Sequence, residues 1–271
     1  MGFETAVAAG VLRLRRPDTR WLSTGWAGGF ADAPAGYNVS VPEGWDRTDL
    51  DAYVARRLAD AGFRDDFSED DGDGVSGEDG VARAERPPSS PALLTGVDMR
   101  HARVARSGSV LAVATAGVSN PAALPVGGGG PAAEGEPVAA DDESTAGDAP
   151  DRPGRGTVNI LVGTDRRLDD GALANLVAVA AEAKAATLLS ATGVPGTTTD
   201  AVVVGSARDG EPATFSGSAT PVGSAARACV RDAVRASLDS RYAAGDASVP
   251  ASVADAEHGV VTDRETEVRR A

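Results

Sequence analysis

Between residues 157 and 205 the chain runs as an apolar stretch (TVNILVG), a long segment of helical period and a second apolar stretch (AVVVG), and this order constrains the fold more than any other feature. Short stretches rich in Val, bounded by glycine, have the length and composition of buried strands. The segment between them carries Leu173, Leu176, Val177, Ala180, Thr187 and Leu188 on one stripe, as a helix does. The pattern predicts strands over 157–163 and 201–205 and helices over 170–190 and 222–238. Upstream, strand-like segments dominate: 5–14, 21–26, 37–41, 92–97, 100–106 and 110–116, the last three read as one meander. A helix is expected over 48–61, stopped by Gly62. The expected fold is a single α/β domain over residues 1–243, a mixed sheet with a strand-rich N-terminal half and a βαβα C-terminal half.

Two stretches, 64–90 and 127–156, read as additions to that core. Both are acidic, glycine-rich and almost devoid of large apolar side chains, and the tail over 244–271 is similar. Such segments bury too little apolar area to offset an ordering cost of about 1–2 kcal/mol per residue, so all three are expected to be disordered. The DDGDG run at 70–74 lacks the remaining EF-hand spacing and reads as a solvated loop. The GGGG at 127–130 follows no strand and opens no helix, so it is no phosphate-binding loop, and no dinucleotide fingerprint occurs.

The 271 residues carry a formal net charge of −14. That balance argues against a nucleic-acid partner, whose phosphates call for Lys and Arg. Abundant acid, 33 glycines and 4% aromatics resemble the composition of proteins from salt-loving archaea, where a Debye length of about 3 Å in molar salt tames self-repulsion. Nearly every basic residue is arginine, and Lys184 is the only lysine. The first residues show no basic region followed by a long apolar run, and no stretch is read as approaching a membrane span, so a soluble cytoplasmic protein without a membrane partner is expected. Cys229, the only cysteine, sits in an apolar helical pattern and reads as a buried structural thiol.

Three places carry candidate chemistry. The helix over 170–190 is apolar almost all round and is expected to be buried, which sets apart its polar residues Asn175, Glu182 and Lys184. Buried charges are costly unless paired or used, so Glu182 and Lys184 are functional candidates, a structural ion pair being the plain alternative. In VATAGVSNPA a strand gives way to Gly117, Ser119 and Asn120, placed to line a cleft, although an ordinary turn uses the same residue types. In VPGTTTDAVVVG, Thr197, Thr199 and Asp200 lead into a buried strand and could hold an amide oxygen or orient a nucleophile. Asn159, inside TVNILVG, is a buried amide that must find partners or serve a ligand. The two histidines, His101 on an expected exposed strand and His258 in the tail, make a Ser-His-Asp triad or a histidine-bound zinc a poor fit.

Taken in order, TAGVSN (115–120), GTVNI (156–160), AEAKAA (181–186) and GTTTD (196–200) resemble the adenosylcobinamide amidohydrolase family, and WLSTGWAGG (21–29) and YNVSV (37–41) are similar to its opening strands. The resemblance implies hydrolysis of the amide joining a propionate arm of the corrin ring to aminopropanol in adenosylcobinamide. The products are adenosylcobyric acid and 1-amino-2-propanol, which returns scavenged corrinoid to cobalamin synthesis. It implies a small-molecule corrinoid substrate and no cofactor or metal held by the protein, since cobalt arrives with the substrate; a homo-oligomer is left open. For this reaction Glu182 is a candidate general base and acid, with Lys184 and Asn120 stabilising the oxyanion. The covalent alternative has Ser119 or Thr197 attack, activated by Lys184. Asn38, Asn159, Thr197, Thr199 and Asp200 are candidate substrate-binding residues. A corrinoid-binding protein without chemistry and an N-terminal-nucleophile aminopeptidase are the competing readings.

Overall fold

A computed structural model of the chain describes residues 2–42, 49–63, 90–125, 156–243 and 248–270. The expected insertions, with the DDGDG and GGGG runs, lie outside the described residues apart from Ser90 and Gly156. The elements are β1 (Glu4–Ala8), β2 (Val11–Ser23), β3 (Gly29–Ser40), α1 (Leu50–Asp60), β4 (Ala92–Thr95), β5 (Arg103–Ser107), β6 (Val110–Ala116), β7 (Pro121–Ala123), β8 (Val158–Thr164), α2 (Asp170–Thr192), β9 (Gly196–Thr197), β10 (Ala201–Ala207), α3 (Pro221–Tyr242) and β11 (Val260–Val261). Strands β4-β3-β2-β10-β8-β6-β5 make one mixed sheet in that order, with β1 added on β2. β8 and β10 run parallel on either side of the α2 crossover, as the apolar-helical-apolar pattern predicts. Strands β11-β7-β9 form a second, small sheet.

The central strands are apolar throughout because both of their faces are covered. Val110, Ala112 and Ala114 of β6, Ile160 and Val162 of β8 and Val204 of β10 pack against α2 and α3. Their alternates Leu111, Val113, Leu161 and Val203 face the other way, onto Leu12, Leu14, Trp21 and Leu93. The glycines near the ends of the two apolar runs are register partners, Gly163 beside Gly205. A Cβ on either would stand 2.6 Å from the ring of Phe3 or Trp21, so this gap in the strands seats the edge-to-face Phe3–Trp21 pair, whose centroids are 5.8 Å apart.

What covers the second face is the β2–β3 hairpin itself. Its register shifts between Arg15 and Thr19, where Asp18 takes a positive φ, and the two halves of β2 serve different neighbours: Thr19–Ser23 pairs with β10 and Val11–Arg15 with β1. The far half of the hairpin, with β4, folds back over the sheet, so that Asn159 of β8 donates to the Leu94 carbonyl at 2.9 Å. Helix α1 closes the outside, packing Tyr53, Val54 and Leu58 on Val11, Tyr37 and Val39. Arg57 ties it down by donating to the carbonyls of Ala9 and Ser40. Helices, sheet, folded-back hairpin and α1 thus stack as layers.

Several expectations are corrected. Residues 5–14 are two strands turning at Ala9–Gly10, and the strand expected over 21–26 ends at Ser23. The meander over 92–116 does not form: β5 and β6 are a hairpin, but β4 lies at the opposite edge of the sheet, parallel to β3. His101 is buried in a short 3-10 turn instead of exposed on a strand. α2 leaves a face of Ala174, Asn175, Ala178, Glu182 and Leu189 exposed, because small side chains read as apolar without needing burial. By length and composition it is long and apolar enough to cross a membrane, contrary to expectation, while its Leu173, Leu176, Val179 and Leu188 pack on the sheet. The tail is not structureless: β11 pairs with β7, a backbone interaction that composition does not reveal.

Candidate functional site

The four motifs meet at one end of the central sheet. β6 ends at Ala116 and runs into Ser119 and Asn120, β8 starts at Val158, and β10 starts just after Asp200. The loop before β10 is drawn in by β9, which pairs with β7, and by the Thr198 N–H donating to the Asn120 carbonyl at 3.1 Å. Helix α2 adds Lys184 from above.

Asp200 is the hub. Its side chain is 9% exposed and takes four donors: the Val158 N–H at 2.9 Å, the Thr197 N–H at 3.0 Å, the Thr197 hydroxyl and the Lys184 ammonium. Lys184, 13% exposed, is thereby half of a nearly buried ion pair, the arrangement a charge on a core-facing helix stripe requires. Gly196 makes room for it, since a Cβ there would stand 2.8 Å from Asp200 Oδ2 and 3.4 Å from Lys184 Nζ.

A second set of polar groups runs inward from the cluster. Thr157 Oγ1 donates to the Thr199 carbonyl at 2.7 Å and lies 3.3 Å from Asn159 Oδ1. Asn159 Nδ2 donates to Asn38 Oδ1 at 3.0 Å as well as to Leu94, and Asn38 Nδ2 donates to Thr115 Oγ1 at 2.8 Å. Asn159 therefore spends its amide hydrogens on the protein and Asn38 donates to Thr115, locking the folded-back hairpin to β6 and β8. Asn120 differs: it is 3% exposed, and its Nδ2 has no hydrogen-bond partner among the described residues. A buried donor left open costs about 1–3 kcal/mol, which a ligand acceptor would recover. Gly156 approaches its backbone so closely that a Cβ would lie 2.8 Å from the Asn120 N and 2.3 Å from the Ser119 N.

The structure thus brings together Lys184, Asp200, Thr197 and Asn120, with half-buried Ser119 and exposed Thr199 beside them. It does not bring Glu182 to the cluster. That side chain is 58% exposed and pairs at 2.5 Å with Arg227 of α3, a residue that lines the groove of about 480 Å³ between α2 and α3. Asn175 is also outside, donating to Ser216 at 3.0 Å. Cys229 is buried under Val110 as expected, and burial pushes its thiol pKa up. Among the described residues no three His, Cys, Asp or Glu side chains gather as metal ligands. Sequence reasoning missed Thr115 and Thr157, although both lie within the quoted motifs, because a threonine in a strand carries no outward sign of what its hydroxyl meets.

The sequence model of the adenosylcobinamide amidohydrolase family matches residues 78–246, which include every member of the cluster. The chain belongs to the adenosylcobinamide amidohydrolase family. A Halobacterium salinarum protein named adenosylcobinamide amidohydrolase is 51% identical over 270 residues, covering 99% of either chain. Membership makes the chain a hydrolase. The Lys184–Asp200 pair spans 16 residues of sequence, from α2 to the loop before β10, and Thr197 stands three residues before Asp200 on that loop.

Proposed function

We propose that the chain hydrolyses the amide linking aminopropanol to the corrin ring of adenosylcobinamide, releasing adenosylcobyric acid and 1-amino-2-propanol, and that the Thr197–Asp200–Lys184–Asn120 cluster does the chemistry. The observation that carries this assignment is the Thr197 hydroxyl bonded to a carboxylate whose other oxygen holds the sole lysine. Nucleophile, base and orienting cation stand in that relation in covalent amide hydrolysis. Thr197 Oγ1 attacks the amide carbon as its proton passes to Asp200 Oδ1. Charge developing on the carbonyl oxygen is met by Asn120 Nδ2 and Lys184 Nζ. The C–N bond breaks as Asp200 returns the proton to the departing amine, and water then cleaves the threonine ester by the same route. Asn38 and Asn159 act as positioning residues, and Glu182 has no part. Cobalt arrives with the substrate, so the protein needs no metal of its own. The acidic composition and the Halobacterium salinarum relative support a cytoplasmic protein adapted to molar salt.

The test is turnover of adenosylcobinamide in high salt, with both products followed by chromatography and mass. Lys184→Ala leaves Asp200 with three donors, so the fold should persist while turnover is lost; full activity in this variant would sink the assignment. Asn120→Ala is expected to lower turnover by about 10² to 10³. Thr197→Ser should retain activity that Thr197→Ala loses, and a quenched reaction should show a corrinoid adduct on the intact chain. Activity in Thr197→Ala would make water the nucleophile. Binding of corrinoid without product in the wild type would favour a carrier protein.

A further inference from the structure

The segment that carries Asn120 is held from behind by the end of α3. As β6 runs out, the Ala116 N–H donates to Ser237 Oγ at 2.8 Å and the Val118 N–H to Tyr242 Oη at 2.8 Å. Gly117 between them donates to the Thr157 carbonyl at 3.1 Å and lies flat against Arg241, whose Cζ would be 3.1 Å from a Cβ at that position. Three successive residues leaving a strand are thus fixed, two of them by helix side chains taking bonds a neighbouring strand would ordinarily take. The third anchor is the strand end that also carries the Asp200 contact at Val158. Asn120, with its open Nδ2, follows two residues after the Tyr242 bond.

We propose that Tyr242 and Ser237 are positioning residues for Asn120, setting through the 116–118 backbone where the Asn120 amide stands. The proposal rests on the reading of Asn120 as an oxyanion donor and adds the elements that aim it. A donor in such a site must be held to a fraction of an ångström, and a displacement of about 1 Å costs up to 10²-fold in rate. The phenol ring of Tyr242 packs against the core shared by α2, α3 and the sheet, so Tyr242→Phe keeps the ring and removes only the acceptor of the Val118 N–H.

The test is a double-mutant cycle on the full chain with adenosylcobinamide as substrate, comparing Tyr242→Phe, Asn120→Ala and the pair. Tyr242→Phe alone is expected to lower kcat by about 10-fold with KM changed less than about 2-fold. In the Asn120→Ala background the same change should have no further effect, because what it positions is gone. Wild-type kcat in Tyr242→Phe overturns the proposal, and so does an equal loss in both backgrounds, which a merely structural role would give. Wild-type turnover in Asn120→Ala removes the oxyanion reading itself, a result distinct from either. Should Tyr242→Phe fail to fold, Ser237→Ala, which frees the Ala116 N–H on the same segment, goes through the same cycle with the same criteria.

Discussion

At the scale of single residues, the buried histidine, His101, shows how burial decides a role. Arg100 Nε donates to His101 Nε2 at 3.0 Å, which fixes the ring as the neutral tautomer with its Nδ1 hydrogen on Ser240 Oγ at 3.1 Å. Burial first, and then the charges of Arg100 and Arg241, hold its pKa below the ordinary 6.5. The unfolded chain therefore binds a proton that the folded chain refuses, so this contribution to stability is complete above about pH 6.5 and is lost as pH falls toward the folded value. The melting temperature of the wild type should drop more steeply below pH 6.5 than that of His101→Gln; parallel curves would mean the ring titrates as it does in water. Nothing in the run MRHAR announces this burial, since Arg100 and Arg103 flank the histidine and read as solvent-facing. Lys184 was legible for the opposite reason: a lone lysine on an apolar stripe has few explanations. Glu182, two residues earlier, looked equally buried only because alanines filled the exposed side of the helix.

At the scale of elements, local pattern carried the βαβ unit and the long helices, whose boundaries follow from caps such as Asp169 on the Ala172 N–H and Thr220 on the Gly223 N–H. It did not carry the partner of β4, because which edge a short strand joins is decided by the fold of the hairpin beneath it and not by its own residues. The β1–β2 turn was hidden inside an unbroken strand-like run. There Ala9 and Gly10 both take positive φ, 47° and 74°, the geometry of a two-residue type I′ hairpin in which Asn-Gly is the favoured pair. A left-handed alanine costs about 1–2 kcal/mol, and asparagine tolerates that region better. Ala9→Asn should raise the denaturation midpoint by the equivalent of about 0.5–1 kcal/mol with an unchanged denaturant slope. A lower midpoint would show that the turn is strained by something other than its first residue.

At the scale of the whole molecule, a net charge of −14 sets carboxylates against one another, with ion pairs such as Arg20 to Asp32 and Asp170 offsetting only part. Raising salt from about 0.1 M to 1 M shortens the Debye length from about 10 Å to about 3 Å, which quenches repulsion between exposed carboxylates more than the nearly buried Lys184–Asp200 attraction. Thermal stability should therefore climb with potassium chloride into the molar range. A fall would mean that surface ion pairs outweigh repulsion. The sheet order has another consequence, which concerns time. β2 takes as its neighbour β10, and Trp21 finds its niche only when Gly205 arrives opposite it. A chain leaving the ribosome carries this edge of β2 open until β10, about 180 residues further on, has emerged, so the order of synthesis and the order of assembly run against each other.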